Sequence, residues 1–418
     1  MKRVLTGLLL GMFATAALAQ SVTVTVKNSL KTPRYGEMIE VSVADLKQKL
    51  NDKSGFIVTD VDGNELPSQV TYDGKLIFQV GVPAKGVSRF FVKGGTARPY
   101  EPRVFGRHFP ERVDDIAWEN DRVAFRTYGP ALQKNNEKAY GFDIWNKRTS
   151  KLVVEDRYAG ELDANVTAVT KKLRDMGKGD LADDVYNAVS YHVDHGNGMD
   201  CYKVGSTLGS GTPALLAQGE KIVYPWCWKE FEILDKGPIR FTVKLVYNPE
   251  TVNGVQVTET RIVSLDAGSH MNKCVVSYAG LTTANPVCAG IVVHKENPTA
   301  YVMNVAKGYM GYEDLGDPNQ YKEKYRAVQN KDFGRIYVGA VFPGTLADMK
   351  YKEEAGLPGA NGHILGIAST DSATPFTYYF GSGWSRNAET DITSLAKWEG
   401  YLDAFAQHVR NPLKVTVK

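Results

Sequence analysis

The sequence is poor in cysteine, in net charge and in long apolar runs. Only four Cys stand among 418 residues and none forms a C-x-x-C, which excludes a thiolate zinc site of the usual spacing. Lys and Arg number 50 against 47 Asp and Glu, so the formal net charge is +3. A dedicated nucleic-acid binder carries a basic excess that is missing here. Beyond the N-terminal stretch no run is apolar enough to span a membrane as a helix. There is no repeat of fixed period and no low-complexity segment. Several catalytic signatures are also absent: no G-x-x-x-x-G-K-[ST], no G-x-S-x-G and no H-E-x-x-H. The Gly-rich Gly205–Thr212 lacks a strand-then-helix context, so it does not read as a phosphate loop.

What is abundant is glycine, 40 residues, and tyrosine, 22 residues, a balance that leans to turn-rich β structure. At the N-terminus Lys2 and Arg3 precede an apolar run, Val4 to Phe13, and then Ala17-Leu18-Ala19. This reads as a secretory signal peptide over residues 1–19, with Gln20 starting the mature chain and a periplasmic or secreted destination. No Cys follows the cleavage site to take a lipid. Export permits disulfides, and four Cys allow three connectivities. Cys274–Cys288 with Cys201–Cys227 is one reading; four reduced, buried thiols is the other.

Residues 20–98 carry short alternating runs, SVTVTVKN and KLIFQVGV, with Asp-Gly turns and one helical fragment, VADLKQKL. They read as a small β-sandwich domain. Residues 99–418 carry longer strands rich in β-branched and aromatic residues, which suggest one large antiparallel sheet packed on another. Helical periodicity is confined to Asn165–Met176, part of Asp180–Tyr191, and Asp391–Val409. The fold class is therefore mainly β, a small sandwich followed by a large antiparallel β domain with few helices.

Strand alternation separates two faces. In DRVAFRTY, Val123, Phe125 and Thr127 oppose Arg122, Ala124, Arg126 and Tyr128. In RFTVKLVY, Arg240, Thr242 and Lys244 form the polar face; further on, Glu259 and Arg261 share a face. Such faces are either solvated or the concave side of a curved sandwich, where cations and aromatic rings take sugars. The densest polar tract is YHVDHGNGMDCYK, Tyr191–Lys203. Its His192, Asp194, His195 and Asp200 could ligate Ca²⁺ or Zn²⁺, or either His could move a proton; a hydrogen-bonded turn is the plain alternative. No other feature calls for a cofactor. Arg107, His108, Arg112, Asp114, Asp115, Glu119 and Arg122 gather in one segment, where opposite charges can simply pair. Trp226 and Trp228 would share a strand face, as a stacking platform or as core. His294, ending an apolar strand, reads as structural.

The strings VDDIAWENDRVAFRTYGPAL, YGFDIWNKR, YHVDHGNGMDCYKVGSTLGSGTPALL and VTETRIVSLDAGSHMN resemble a secreted bacterial family called domain of unknown function forty-eight sixty-one. The resemblance covers most of the chain after residue 19. It implies a galactose-mutarotase-like super-sandwich for residues 99–418, as in several polysaccharide lyases. It also implies a setting in carbohydrate degradation, beside enzymes that remove unsaturated uronic acids from pectin-type chains. It assigns no catalytic residue.

The expected partner is an acidic oligo- or polysaccharide. β-Elimination would need a base (His192 or His195), a carboxylate neutraliser (Arg126 or Lys203) and an acid (Tyr202 or Tyr128), with His108, Trp226, Trp228 and Glu259 lining the substrate. The alternatives are a glycoside hydrolase or a mutarotase/epimerase-like enzyme on the same scaffold, with paired acids such as Glu259 and Asp200 or Asp194, or a sugar-binding accessory protein without turnover.

Overall fold

A computed structural model describes residues 21–50, 55–134, 138–315 and 333–418. The segment read as a signal peptide, residues 1–19, lies outside the described residues. The chain is mainly β, built of antiparallel sheets with few helices. Among the described residues no helix is long and apolar enough to cross a membrane.

Alternation decides which face of each strand is buried. In Ser21–Lys27, Val22, Val24 and Val26 point inward while the residues between them are half-buried or exposed. This strand pairs with Val87–Gly94 on one side and with the C-terminal strand Lys414–Val417 on the other. The chain therefore ends in the sheet where its described part begins. A three-stranded sheet, Arg34–Ser42, Lys75–Val82 and Ser68–Val70, packs across that one over Ile39, Val41, Phe78, Val80 and Val92.

The main core lies under a nine-stranded sheet. Its central strands are Arg240–Tyr247, Val255–Asp266, Met271–Ala279, Phe376–Trp384 and Ile336–Val341. Phe241, Val243, Leu245, Val263, Leu265, Cys274, Val276, Tyr378 and Phe380 face inward. Two five-stranded sheets lie side by side against them. One holds Ser210–Ala217, Asn285–His294 and Ala360–Thr370; the other holds Val104–Phe109, Asp115–Asn120, Ala124–Thr127, Asp143–Lys147 and Gly198–Asp200. A parallel bridge, Phe142 to Gly209, joins the two. Burying a side chain such as Phe241 contributes roughly 1.5–3 kcal/mol, and the continuity of this apolar layer holds the sheets in register.

Among the described residues, helices of eight residues or more pack on the sheets at three places; Val43–Leu50 buries Leu46 and Leu50 in the N-terminal core. Leu395–Arg410 starts at Ser394, whose hydroxyl accepts from the Lys397 amide. Trp398, Leu402 and Ala406, four residues apart, bury one stripe on the nine-stranded sheet against Tyr309, Tyr337 and Val341. Val154–Glu161 leads two further helices, Ala164–Asp175 and Gly179–Asn187. It carries Val154, Arg157 and Tyr158 inward, three and four residues apart. This helix is absent from the sequence reading, and it matters most for the site. The Glu119 carboxylate accepts from the amides of Val153 and Val154 at 2.7 Å each, pinning the helix N-terminus to the sheet.

All four cysteines are buried free thiols. The Cys274–Cys288 and Cys201–Cys227 bridges are thus corrected. Cys274 points into the core from the nine-stranded sheet while Cys288 packs with Leu365 and Ile367 in a separate cluster. Burial pushes the thiols of Cys227, Cys274 and Cys288 up to about 12 and that of Cys201 well above its ordinary value, which keeps them protonated.

Candidate functional site

Registers bring five charged and aromatic positions onto one face of the sheet Val104–Phe109 to Gly198–Asp200. Arg126 stands opposite Asp143 on one side and Ala117 on the other; Trp145 stands opposite Asp200. Asp115, two residues from Ala117, shares that face. The opposite face carries Ile116, Trp118, Phe125 and Ile144 into the main core. The polar face read from DRVAFRTY is therefore real, but it is neither a solvated surface nor an open cup. The helix Val154–Glu161 and Tyr191 cover it, packing with Phe109, Trp145 and Tyr158.

Covering a charged face requires the charges to satisfy one another. Arg126 donates from Nε and Nη2 to Asp143 Oδ2 at 2.8 and 2.5 Å, and from Nη2 to Asp200 Oδ2 at 2.9 Å. Asp115 Oδ2 lies 3.7 Å from Nη1 and accepts from the Tyr158 hydroxyl at 3.0 Å. Burial raises the carboxyls of Asp115 and Asp143 to about 6 against the pull of Arg126, and raises Asp200 as well. Burial alone would lower the guanidinium of Arg126, but Tyr128, Asp143, Asp200 and Asp115 around it hold it charged. The Arg126 guanidinium also lies 4.8 Å from the ring centre of Trp145.

The network reaches the surface at three side chains. Half-buried Tyr128 accepts from Arg126 Nη2 at 3.1 Å and donates to Asp143 Oδ2 at 2.8 Å. Burial of its hydroxyl raises its pKa well above the ordinary value, so it stays a phenol. Half-buried His192 lies 3.7 Å from Asp200 Oδ2 through Nδ1, and burial lowers its imidazole to about 4, so it is neutral near pH 7. Arg112 donates to the Tyr191 hydroxyl at 3.3 Å and feels the charge of Asp115, without a carboxylate in ion-pair reach among the described residues. It follows a proline in a single turn, Pro110–Arg112, and Val113 and Asp114 after it adopt left-handed backbone, φ 46° and 65°. Left-handed backbone at a β-branched residue is strained, so the surroundings must hold the turn in place.

The tract Tyr191–Lys203 closes the site without making a metal cage. Asp194 accepts from the amides of Gly196 and Gly198 and pairs with Arg148 and Arg386. Exposed His195 meets the Ser190 carbonyl at 3.1 Å. Asp200 turns to Arg126 and His192. Among the described residues no three His, Cys, Asp or Glu side chains gather as metal ligands. Gly198 has φ +102°, and a Cβ there would stand 2.0 Å from the Asn146 carbonyl oxygen and 2.7 Å from Arg157. Only glycine lets this strand close against the helix.

The other expected residues lie apart from Arg126. Buried Tyr202 packs near His294, 5.9 Å between ring centres, and Lys203 lies against Gly359. His108 is on the opposite face of the sheet, opposite Ile116; it reaches Asp114 at 3.2 Å and packs on Phe231 and Trp228. Trp226 and Trp228 form no joint platform. Trp228 is buried against His108, whereas Trp226 precedes the strand and is 41% exposed. Trp226 and Glu259 do line one hollow, of about 30 Å³, room for a single water. Glu259 is bound to Arg261 there. Burial raises Glu259, with Arg261 opposing. His294 is a structural pair with Asp314 at 3.0 Å.

Sequence reasoning passed over Asp143 and Tyr191 and treated Asp115 and Arg112 as surface charges. The available signal was a charged residue on the alternate face of each of three apolar strands, Asp115, Arg126 and Asp143.

A curated relative from Formosa agariphila, "Uncharacterized protein P7", is 26% identical over 413 residues, covering 94% of this chain and 93% of its own length. Two solved structures from Enterococcus faecalis are similar over 95% of this chain: an alpha-mannosidase, 8% identical with a TM-score of 0.47, and a protein in the glycosyl hydrolase family 38, 9% identical with a TM-score of 0.46. This chain spans 46% and 47% of their lengths, about half. Neither likeness is tight enough to carry an activity across. A family model matches residues 26–415, nearly the whole sequence, and the chain belongs to the family described as Domain of unknown function (DUF4861).

Proposed function

We propose that the protein is an exported carbohydrate-active enzyme that binds an acidic saccharide beside Tyr128 and cleaves it by acid–base hydrolysis. One observation carries this reading: Tyr128, half-buried, shares a hydrogen bond with Asp143, a carboxyl that burial raises to about 6. When Asp143 is protonated it can donate to the Tyr128 oxygen, which frees the phenol proton to point outward. Tyr128 then protonates the leaving glycosidic oxygen as Asp143 replaces the proton it gives up. Water attacks the anomeric carbon and passes its proton to neutral His192; the two protons return through solvent. General acid–base help of this kind contributes about 10²–10⁴ in rate.

Elimination fits less well. Arg126, the expected neutraliser of a substrate carboxylate, is already occupied by Asp143 and Asp200. A phenol that burial keeps protonated has no lone base to offer a carbon acid, and an imidazole near 4 is a weak one. Arg112 is the cation left for the substrate carboxylate.

The test is a panel of uronate-containing oligosaccharides, read by new reducing ends and by ultraviolet absorbance of unsaturated uronides. New reducing ends without absorbance are expected, and Tyr128→Phe lowers kcat by about 10² or more. Absorbance gain, or no turnover on any acidic saccharide, overturns the reading.

A further inference from the structure

The polar face of Arg240–Tyr247 and its neighbours lies on the outer side of the nine-stranded sheet, opposite the core residues Phe241, Val243 and Leu245. The N-terminal sandwich covers one part of this surface and the helix Leu395–Arg410 another. Between them is a groove of about 630 Å³, within the usual range for a small-molecule site. Ser264, Lys273 and Tyr379 form its floor, side by side on three neighbouring strands. Phe405, 5.2 Å from Tyr379 between ring centres, rises from the helix side.

The charges on its walls are matched internally. Glu37 is held by Arg34 at 2.8 Å and by His408 at 2.6 Å; these bonds keep its carboxyl below the ordinary range although burial works the other way. Arg240 holds Glu40 at 2.7 Å and Asp266 at 2.6 Å. Lys273 has no carboxylate in ion-pair reach among the described residues. An anion entering here would meet three carboxylates and one unmatched cation. An apolar ligand would desolvate these ion pairs with nothing in return. An uncharged sugar suits both: its C–H face lies on the rings, and its hydroxyls bond to carboxylates and guanidinium groups already fixed in position.

We propose that this groove binds uncharged hexose units of an oligosaccharide, as a site separate from the Arg126 network. It stands on the groove's own geometry and does not depend on the Tyr128 chemistry.

Calorimetric titration of the full chain with cello-, manno- and galacto-oligosaccharides, and with oligogalacturonates, tests it. A neutral oligosaccharide is expected to bind, and Tyr379→Ala to weaken it about tenfold or more. Ser264→Trp, which fills the groove while leaving both ion-pair sets intact, is expected to do the same and serves if Tyr379→Ala does not fold. Tyr128→Phe is expected to leave this binding unchanged. No neutral saccharide bound, binding that survives both groove variants, or a groove that prefers oligogalacturonate overturns the proposal. Turnover without groove binding overturns this inference alone; groove binding without turnover overturns the hydrolytic reading alone.

Discussion

Arg126 and Asp143 face each other across neighbouring strands and share two hydrogen bonds, from Nε at 2.8 Å and from Nη2 at 2.5 Å, with neither side chain more than 5% exposed. The pair is the hinge of the whole polar face, because the same Nη2 also holds Asp200. Removing the cation leaves three buried carboxyls without their counter-charge. Arg126→Met is expected to cost about 3–5 kcal/mol at neutral pH. The loss should shrink near pH 5, where Asp115 and Asp143, raised to about 6, already hold protons. Urea unfolding at the two pH values checks both the size and the direction.

Activity should follow the same carboxyl. Asp143 supplies the proton when protonated, so turnover falls as pH rises through about 6. His192 accepts a proton only when neutral, so turnover also falls as pH drops through about 4. The expected kcat/KM profile is a bell between these limits. Asp143→Asn should remove the upper limb along with most of the rate. A profile that keeps rising above neutrality would exclude Asp143 as the proton source.

Much of this was legible in the residues. The alternation in DRVAFRTY and RFTVKLVY gave the inward faces correctly, with Phe125, Val243 and Leu245 in the core. The mainly β class and the C-terminal helix followed from periodicity. What alternation cannot give is which element covers a face. Val154–Glu161 buries only Val154, Arg157 and Tyr158, too short a stripe and too polar to stand out. Without it the Arg126 face looks solvent-exposed. Nor can alternation give register, so Asp143 could not be matched to Arg126. The two tryptophans misled for a related reason: the strand begins at Trp228, so Trp226 never joins its alternation.

Stability against pH offers a check that needs no substrate. Burial raises Asp115 and Asp143 from 3.8 to about 6, so between these values the folded chain binds more protons than the unfolded one, and their contribution falls as pH rises. Burial lowers His192 and His270 from 6.5 to about 4, so the folded chain binds fewer protons there, and their contribution grows as pH rises. Among these four groups, two oppose two across the same window. Asp143→Asn should therefore tilt the unfolding midpoint upward with pH relative to the parent chain. His270→Asn should tilt it the other way. Parallel curves for the parent and both variants would contradict these burial assignments.

Arg112 gives the sharpest separation of binding from chemistry. Its guanidinium donates to Tyr191, remains without a carboxylate in ion-pair reach among the described residues, and is held by a turn whose next two residues are left-handed. In the proposed function this cation holds the substrate carboxylate, an interaction that is the same before and during bond cleavage. Arg112→Ala should then raise KM about tenfold or more while kcat changes little, since uniform binding is lost. Arg112→Lys should restore part of the affinity, because the charge returns without the planar fork. Methyl-esterified substrate, with its carboxylate masked, should be handled equally by the parent chain and by Arg112→Ala. A fall in kcat without change in KM would instead place Arg112 among the groups that act on the transition state, and a loss of folding in both variants would make it structural.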